Sequence, residues 1–76
     1  MTTIKVKFND WPVKDMKNWL IDHVGRFNYR VGDTLYHEVG SGWQLYIKMP
    51  PNDNSVFWIV EVANDEQATA FKLRFL

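Results

Sequence analysis

The sequence predicts a two-layer α+β domain, in which an antiparallel sheet of four to five strands carries two helices on one face. Short alternations of apolar and polar residues, typical of half-buried strands, recur along most of the chain. Two other segments have a helical apolar stripe or a helix-capping sequence. Short turns between successive strands favour antiparallel pairing. The predicted order is β-α-β-β-β-β-α, or β-α-β-β-β-α if residues 27–39 form one bent strand.

The first strand and the first helix are adjacent in the sequence. Ile4, Val6 and Phe8 alternate with polar residues, which predicts a strand with one buried side. A helix is predicted from about Trp11 to Val24. Its expected ends are a cap at Asn9-Asp10, Pro12 in the first turn and a left-handed Gly25. The expected apolar stripe is Val13, Met16, Leu20 and Val24, widened by Trp19, with Lys14, Lys17, Asn18 and Asp22 facing water.

Further alternations predict the middle of the sheet. They cover residues 27–31, residues 34–39, where Leu35, His37 and Val39 form the apolar side, and residues 43–49. Gly40-Ser41-Gly42 is expected to form a hairpin turn. Residues 50–54, rich in proline and Asx, are expected to form a loop that ends the pairing.

The last third of the chain predicts a strand and a short helix. In residues 56–62, Trp58, Val60 and Val62 lie on one face, while Phe57 and Ile59 make the other face apolar as well. This pattern indicates either a central strand or a strand whose second face meets a partner. Residues 64–67 have the spacing of a capping box, followed by Ala68 and Phe71 as inward helical positions. Residues 73–76 fit either the end of this helix or a returning strand.

Length and composition restrict the class of protein. Residues 1–76 are expected to form one domain, which needs a rich core or a partner for stability. The absence of cysteine excludes disulfides and thiolate zinc sites. No segment resembles a signal peptide or a membrane span, so we expect a cytoplasmic protein.

The chemistry-bearing residues do not form a recognisable catalytic set. His23 and His37 are the only histidines and belong to different predicted elements. Ser41 lies in a turn between two strands, and a nucleophile elbow requires a helix after the serine. We therefore expect no enzymatic activity, no metal and no cofactor.

Basic residues indicate one alternative function. The net charge is zero, but residues 1–30 contain six Lys and Arg against three acidic residues. Basic side chains beside aromatic rings on a sheet are typical of RNA- or DNA-binding proteins. The candidate residues for nucleic-acid binding are Lys5, Lys7, Arg26, Tyr29 and Arg30.

Aromatic residues indicate the leading function. The chain contains four Trp, three Tyr and five Phe, more than so small a core is expected to enclose. Exposed aromatic anchors are typical of protein interfaces. The candidate interface residues are Trp11, Tyr36, Trp43, Tyr46, Phe57 and Ile59. The same surface would also serve a structural homo-oligomer, which is the third alternative.

A resemblance favours a particular kind of protein-binding module. Residues 56–75 contain an aromatic and β-branched strand, an acidic turn, alanines and the segment Phe71-Lys72-Leu73. This ending resembles that of small accessory proteins of T4-like tailed phages, and it covers the C-terminal quarter of the chain. The resemblance implies a phage-encoded protein that binds a host protein in the bacterial cytoplasm, such as a defence factor, and inhibits or redirects it.

Overall fold

The computed structural model describes residues 1–49 and 56–76. These residues form one antiparallel five-stranded sheet of strand order β1-β5-β4-β3-β2, together with two helices. The α+β class is confirmed, and residues 27–39 form two strands. The predicted loop at residues 50–54 lies outside the described residues. The elements are β1 (Thr2–Lys7), α1 (Val13–His23), β2 (Phe27–Arg30), β3 (His37–Gly40), β4 (Trp43–Lys48), β5 (Phe57–Val62) and α2 (Asp65–Phe75).

Strand β5 lies inside the sheet, which is the first of the two alternatives that its apolar faces indicate. It pairs with β1 on one side and with β4 on the other. Trp58, Val60 and Val62 are at most 5% exposed and face the helices. Ile59 is 2% exposed although it lies on the opposite face, where neighbouring side chains enclose it.

The core lies between the sheet and the two helices. Met16 and Leu20 of α1 are fully buried, and Val13, Trp19 and Val24 pack against them, so the predicted stripe is confirmed. Helix α2 contributes Ala68 and Phe71, as predicted, and also Phe75. The other core residues come from the strands and are Ile4, Val6, Trp43, Leu45, Trp58, Val60 and Val62. Neither helix in the described part of the chain has the length and apolarity needed to cross a membrane.

The ends of α1 differ from the prediction. The N-cap is Pro12, and no side chain caps the helix, so the predicted Asn9-Asp10 cap is wrong. The helix ends at His23, and Gly25 does not have a positive φ. Gly25 is required for space, because a Cβ at this position would overlap the backbone carbonyl of Ser41.

Helix α2 begins and ends closer to the prediction. The side chain of Asn64 accepts a hydrogen bond from the Gln67 amide at 3.0 Å, which confirms the cap. The helix continues to Phe75, so residues 73–76 finish the helix and do not return as a strand.

Strands β2 and β3 differ from the prediction in which of their residues face the helices. Glu38 pairs with Leu45 and Gly40 pairs with Trp43, both buried, so these positions of β3 face the helices. His37 and Val39 therefore lie on the opposite side, the reverse of the predicted apolar side. All four residues of β2 are exposed, because β2 is an edge strand with an irregular register between Phe27 and Tyr29. Its alternation thus does not reflect burial.

We expect Trp58→Ala to lower the free energy of unfolding by about 3–5 kcal/mol, as other large-to-small core substitutions do. The indole stacks on Phe8 with ring centroids 5.3 Å apart and meets Tyr36 edge-on at 5.1 Å. Chemical denaturation measures the loss. The control is Leu73→Ala, because Leu73 is 83% exposed and should matter by less than about 0.5 kcal/mol. A normal denaturation midpoint for Trp58→Ala would contradict the assignment of the sheet faces.

Candidate functional site

The sheet has one face covered by the helices and one face that no described element covers. We call the second the open face. Register and alternation place on it Lys5, Lys7, Phe57, Ile59, Tyr46 and Lys48, together with Thr3, Glu61, Gln44, His37, Val39 and Tyr29. Because an uncovered sheet face with large side chains is a natural docking surface, it is the candidate functional site.

One end of the open face combines an aromatic ring with three lysines. Phe57 pairs with Lys7 on β1 and with Lys48 on β4, so the three side chains form a row across the sheet. The ammonium group of Lys5 lies 5.3 Å from the centroid of the Phe57 ring. We call Lys5, Lys7, Lys48 and Phe57 the lysine–Phe57 cluster. It offers positive charge around an apolar ring, a combination that attracts anionic groups.

The centre of the open face is held by hydrogen bonds. His37 Nε2 lies 2.9 Å from Gln44 Oε1, and the His37 ring lies 5.0 Å from that of Tyr46. Burial, a hydrogen bond to Glu61 and the charge of that carboxylate raise the pKa of Tyr46. The Tyr46 hydroxyl therefore stays protonated and donates to Glu61. These contacts fix the orientation of the aromatic side chain.

A half-open pocket of about 240 Å³ lies between the approach to β3 and the end of β4. A cavity of about 150 Å³ already admits a benzene ring, so this pocket has room for one large apolar side chain. Leu35 and Met49 at its mouth are 68% and 53% exposed. The lining residues are Thr34, Leu35, Tyr36, His37, Tyr46, Ile47 and Met49.

A buried carboxylate lies on the other side of the sheet. Glu38 is 4% exposed, and Lys17 Nζ of α1 lies 2.6 Å from its Oε2 atom. Burial alone would raise the pKa of Glu38, but hydrogen bonds from Lys17 and Tyr36 and the nearby positive charges of Lys17 and Arg30 bring that pKa below its ordinary value. Burial and the same carboxylate raise the pKa of Tyr36. The arrangement joins α1 to β3.

The sequence did not reveal this ion pair. Lys17 was expected to face water, and Glu38 was expected on the solvent side of its strand. The available signal was weak: Lys17 lies next to Met16 in the apolar stripe, at the border of the buried face. Only the inward orientation of β3 brings the two side chains together.

The six candidate interface residues do not share one surface. Tyr46 and Phe57 lie on the open face, and Ile59, which pairs with Tyr46, lies on the same face but is enclosed. Tyr36 faces the helix side, where it meets Trp58. Trp11 packs against α2, and its Nε1 donates to the Phe75 carbonyl at 2.9 Å.

Trp43 is a further correction. It is 3% exposed, and its Nε1 donates to the Gly25 carbonyl at 2.7 Å. Its ring lies over Gly40, where a Cβ would overlap the indole. The expectation that Trp43 and Ile59 offer binding surface is therefore wrong, because both side chains are enclosed. Sequence reasoning also missed Lys48, whose only signal was its polar position in the alternation of β4.

The candidate nucleic-acid residues are divided between the two edges of the sheet. Lys5 and Lys7 lie on β1, whereas Tyr29 and Arg30 lie on β2, which Arg26 precedes. Four strand spacings separate these edges, about 19 Å. The Arg30 guanidinium lies 5.1 Å from the Tyr36 ring centroid, on the helix side. The five residues therefore do not form one site.

The histidines and Ser41 have structural surroundings. His23 stacks on Trp19, with ring centroids 4.4 Å apart, and its Nδ1 lies 3.0 Å from the Trp19 carbonyl oxygen. The Ser41 hydroxyl contacts the Asn28 side chain. Within residues 1–49 and 56–76, no group of three His, Asp or Glu side chains is placed to hold a metal ion.

Comparisons with protein-family models, with curated proteins and with solved structures find no match to this chain. The geometry of the open face is therefore the basis on which a function can be proposed.

We expect Glu38→Gln to lower the free energy of unfolding by about 2 kcal/mol at neutral pH, because it removes a charged, hydrogen-bonded partner of Lys17. The folded-state pKa of Glu38 is lowered from 4.5, so this stabilisation is complete above that pH and is lost as the pH falls through the folded-state pKa. Denaturation at several pH values should show the difference from wild type shrinking in acid.

The control for this prediction is Asp10→Asn, which neutralises an exposed carboxylate. It should change stability by less than about 0.5 kcal/mol at neutral pH. A pH-independent difference between wild type and Glu38→Gln would contradict the role of the ionised carboxylate.

Proposed function

We propose that this domain is a non-enzymatic binding module that engages a protein through the open face of its sheet. The observation that carries the proposal is the uncovered face itself, where Phe57 and Tyr46 present aromatic rings next to the enclosed Ile59. Aromatic side chains held rigidly by their neighbours make effective anchors in protein interfaces. The contacts of Tyr46 with His37 and Glu61 supply this rigidity.

The partner we propose is a bacterial host protein. The resemblance of the C-terminal segment to accessory proteins of T4-like phages supports this choice. Such a module would act in the host cytoplasm and inhibit or redirect its target, for example a defence factor. Stoichiometric inhibition requires only a complementary surface, which the open face provides without a catalytic group.

Two features favour a protein partner over nucleic acid. The basic residues predicted for nucleic-acid binding are divided between opposite edges of the sheet. The chain as a whole has a net charge of zero, whereas a non-specific nucleic-acid binder usually carries a basic excess.

We expect affinity-tagged protein to retain one stoichiometric partner from a bacterial lysate, and Phe57→Ala to lower that recovery at least tenfold, as the loss of an interface anchor does. Tyr46→Ala should have a similar effect. Quantitative mass spectrometry of the retained proteins measures both changes. The matched control is Leu73→Ala, which truncates an exposed apolar side chain on α2 and should leave recovery unchanged.

Thermal melting of each variant separates loss of binding from loss of folding. Equal recovery by wild type and Phe57→Ala would contradict the proposal, as would the absence of any retained partner across several bacterial hosts. A dimer that light scattering detects in wild type but not in Phe57→Ala would also contradict it, because the open face would then serve self-association.

A further inference from the structure

The lysine–Phe57 cluster adjoins a feature of different chemistry, the pocket between the start of β3 and the end of β4. The pocket lies at the border of the open face, where His37 and Tyr46 line it from that face and Tyr36 and Ile47 line it from the helix side. Tyr46 connects the pocket with the cluster, because it lies two residues from Lys48 on the same face of β4. A ligand that lies along this end of the sheet therefore contacts positive charge and an apolar recess together.

The charge on this face is unevenly distributed. Lys5, Lys7 and Lys48 lie on it, and the carboxylate of Glu61 accepts a hydrogen bond from Tyr46. The charges of the two helices balance, because Lys14, Lys17, Lys72 and Arg74 match Asp15, Asp22, Asp65 and Glu66. The open face, with three lysines and one carboxylate, is therefore a positive surface on a protein of zero net charge, which favours an anionic ligand.

The type of cation and the shape of the ring further restrict this ligand. Each lysine is a compact charge on a flexible stem with three donors, which suits carboxylates in varied geometry. The Phe57 ring between Lys7 and Lys48 supplies an apolar contact within the charged row. A polypeptide ligand in which acidic side chains alternate with apolar ones would match this row of two lysines and a phenylalanine.

The pocket requires an apolar group on the same ligand. Its mouth is formed by the exposed side chains of Leu35 and Met49, and Tyr46 and Ile47 line it. Methionine adapts its shape to varied partners, which suits a wall that accepts a side chain. A uniformly anionic backbone, such as that of a nucleic acid, matches the lysines but carries no aliphatic group to contact Leu35, Ile47 and Met49.

We propose that the open face binds an acidic polypeptide segment of its partner, with one large apolar side chain in the pocket and carboxylates on the lysine–Phe57 cluster. This inference rests on the proposed function, because it takes the open face as the binding surface. It adds the chemistry of the partner: a segment in which several Asp or Glu residues adjoin a Leu-, Phe- or Trp-sized anchor.

The test begins with a random peptide library panned on the immobilised full chain. We expect the selected peptides to be enriched in Asp and Glu and to share one large apolar position. A fluorescein-labelled copy of the most enriched peptide then gives affinities by anisotropy. Its affinity should fall as the salt concentration rises, because the attraction between charges on an exposed surface is screened.

Charge reversals on the open face should weaken the binding of this peptide. Lys7→Glu and Lys48→Glu are each expected to lower its affinity about tenfold. Leu35→Asp should lower it at least as much, by placing a carboxylate at the mouth of the pocket. The matched control is Lys14→Glu, the same charge change at an exposed position of α1, which should leave affinity unchanged. Circular dichroism and melting establish that each variant is folded.

Three outcomes would overturn the inference: selected peptides without acidic enrichment, unchanged affinity in folded Lys48→Glu, or an oligodeoxythymidylate that displaces the peptide and binds more tightly. The last outcome would assign the face to nucleic acid. Failure of the inference and failure of the proposed function are distinguishable. Phe57-dependent capture of a host protein together with peptides that lack acidic residues would reject the inference and support the function.

Discussion

The insertion of β5 between β1 and β4 is the constraint on which the rest of the structure depends. Its inward residues Trp58, Val60 and Val62 belong to the core that the sheet shares with both helices. Its outward residues Phe57 and Ile59 lie on the open face. Because side chains alternate along a strand, a shift of one residue in this register would exchange the two sets. One register therefore determines both the core and the candidate binding surface.

The sequence predicted those elements in which pattern and burial agree. The alternations of β1, β4 and β5 and the stripe of α1 follow burial directly, so they could be interpreted without a structure. Strand β3 could not, because Glu38 faces inward and is stabilised by Lys17 from α1. The carboxylate of Glu38 can be buried because a lysine from a different element pairs with it, and the residues around β3 in the sequence give no sign of this lysine. The left-handed conformation predicted for Gly25 was wrong for a similar reason. This glycine allows the close approach of Ser41, which lies in another part of the sequence, and does not have a positive φ.

The candidate site was predictable only in part. The positions of Phe57 and Ile59 on the outward side of β5 followed from its two apolar faces, but the burial of Ile59 did not. The row formed by Lys7, Phe57 and Lys48 depends on strand order and register. The surplus of aromatic residues gave an overestimate of exposed surface, because four of them are buried and Trp11, Trp19 and Tyr36 pack against the core. Trp43 is the clearest case: Gly40 has no side chain, and the indole occupies that space. Its enclosure leaves fewer anchors than composition alone indicates.

The two edges of the sheet disfavour the addition of a strand from another chain. Strand β1 carries the exposed Lys5 and Lys7, and β2 is four residues long with an irregular register. Short, bulged or lysine-bearing edges are poor templates for the addition of another strand. Recognition would therefore depend on side chains of the open face more than on the backbone. Because most of those side chains lie outside the core, a few substitutions on the open face can change its surface chemistry while the fold is retained.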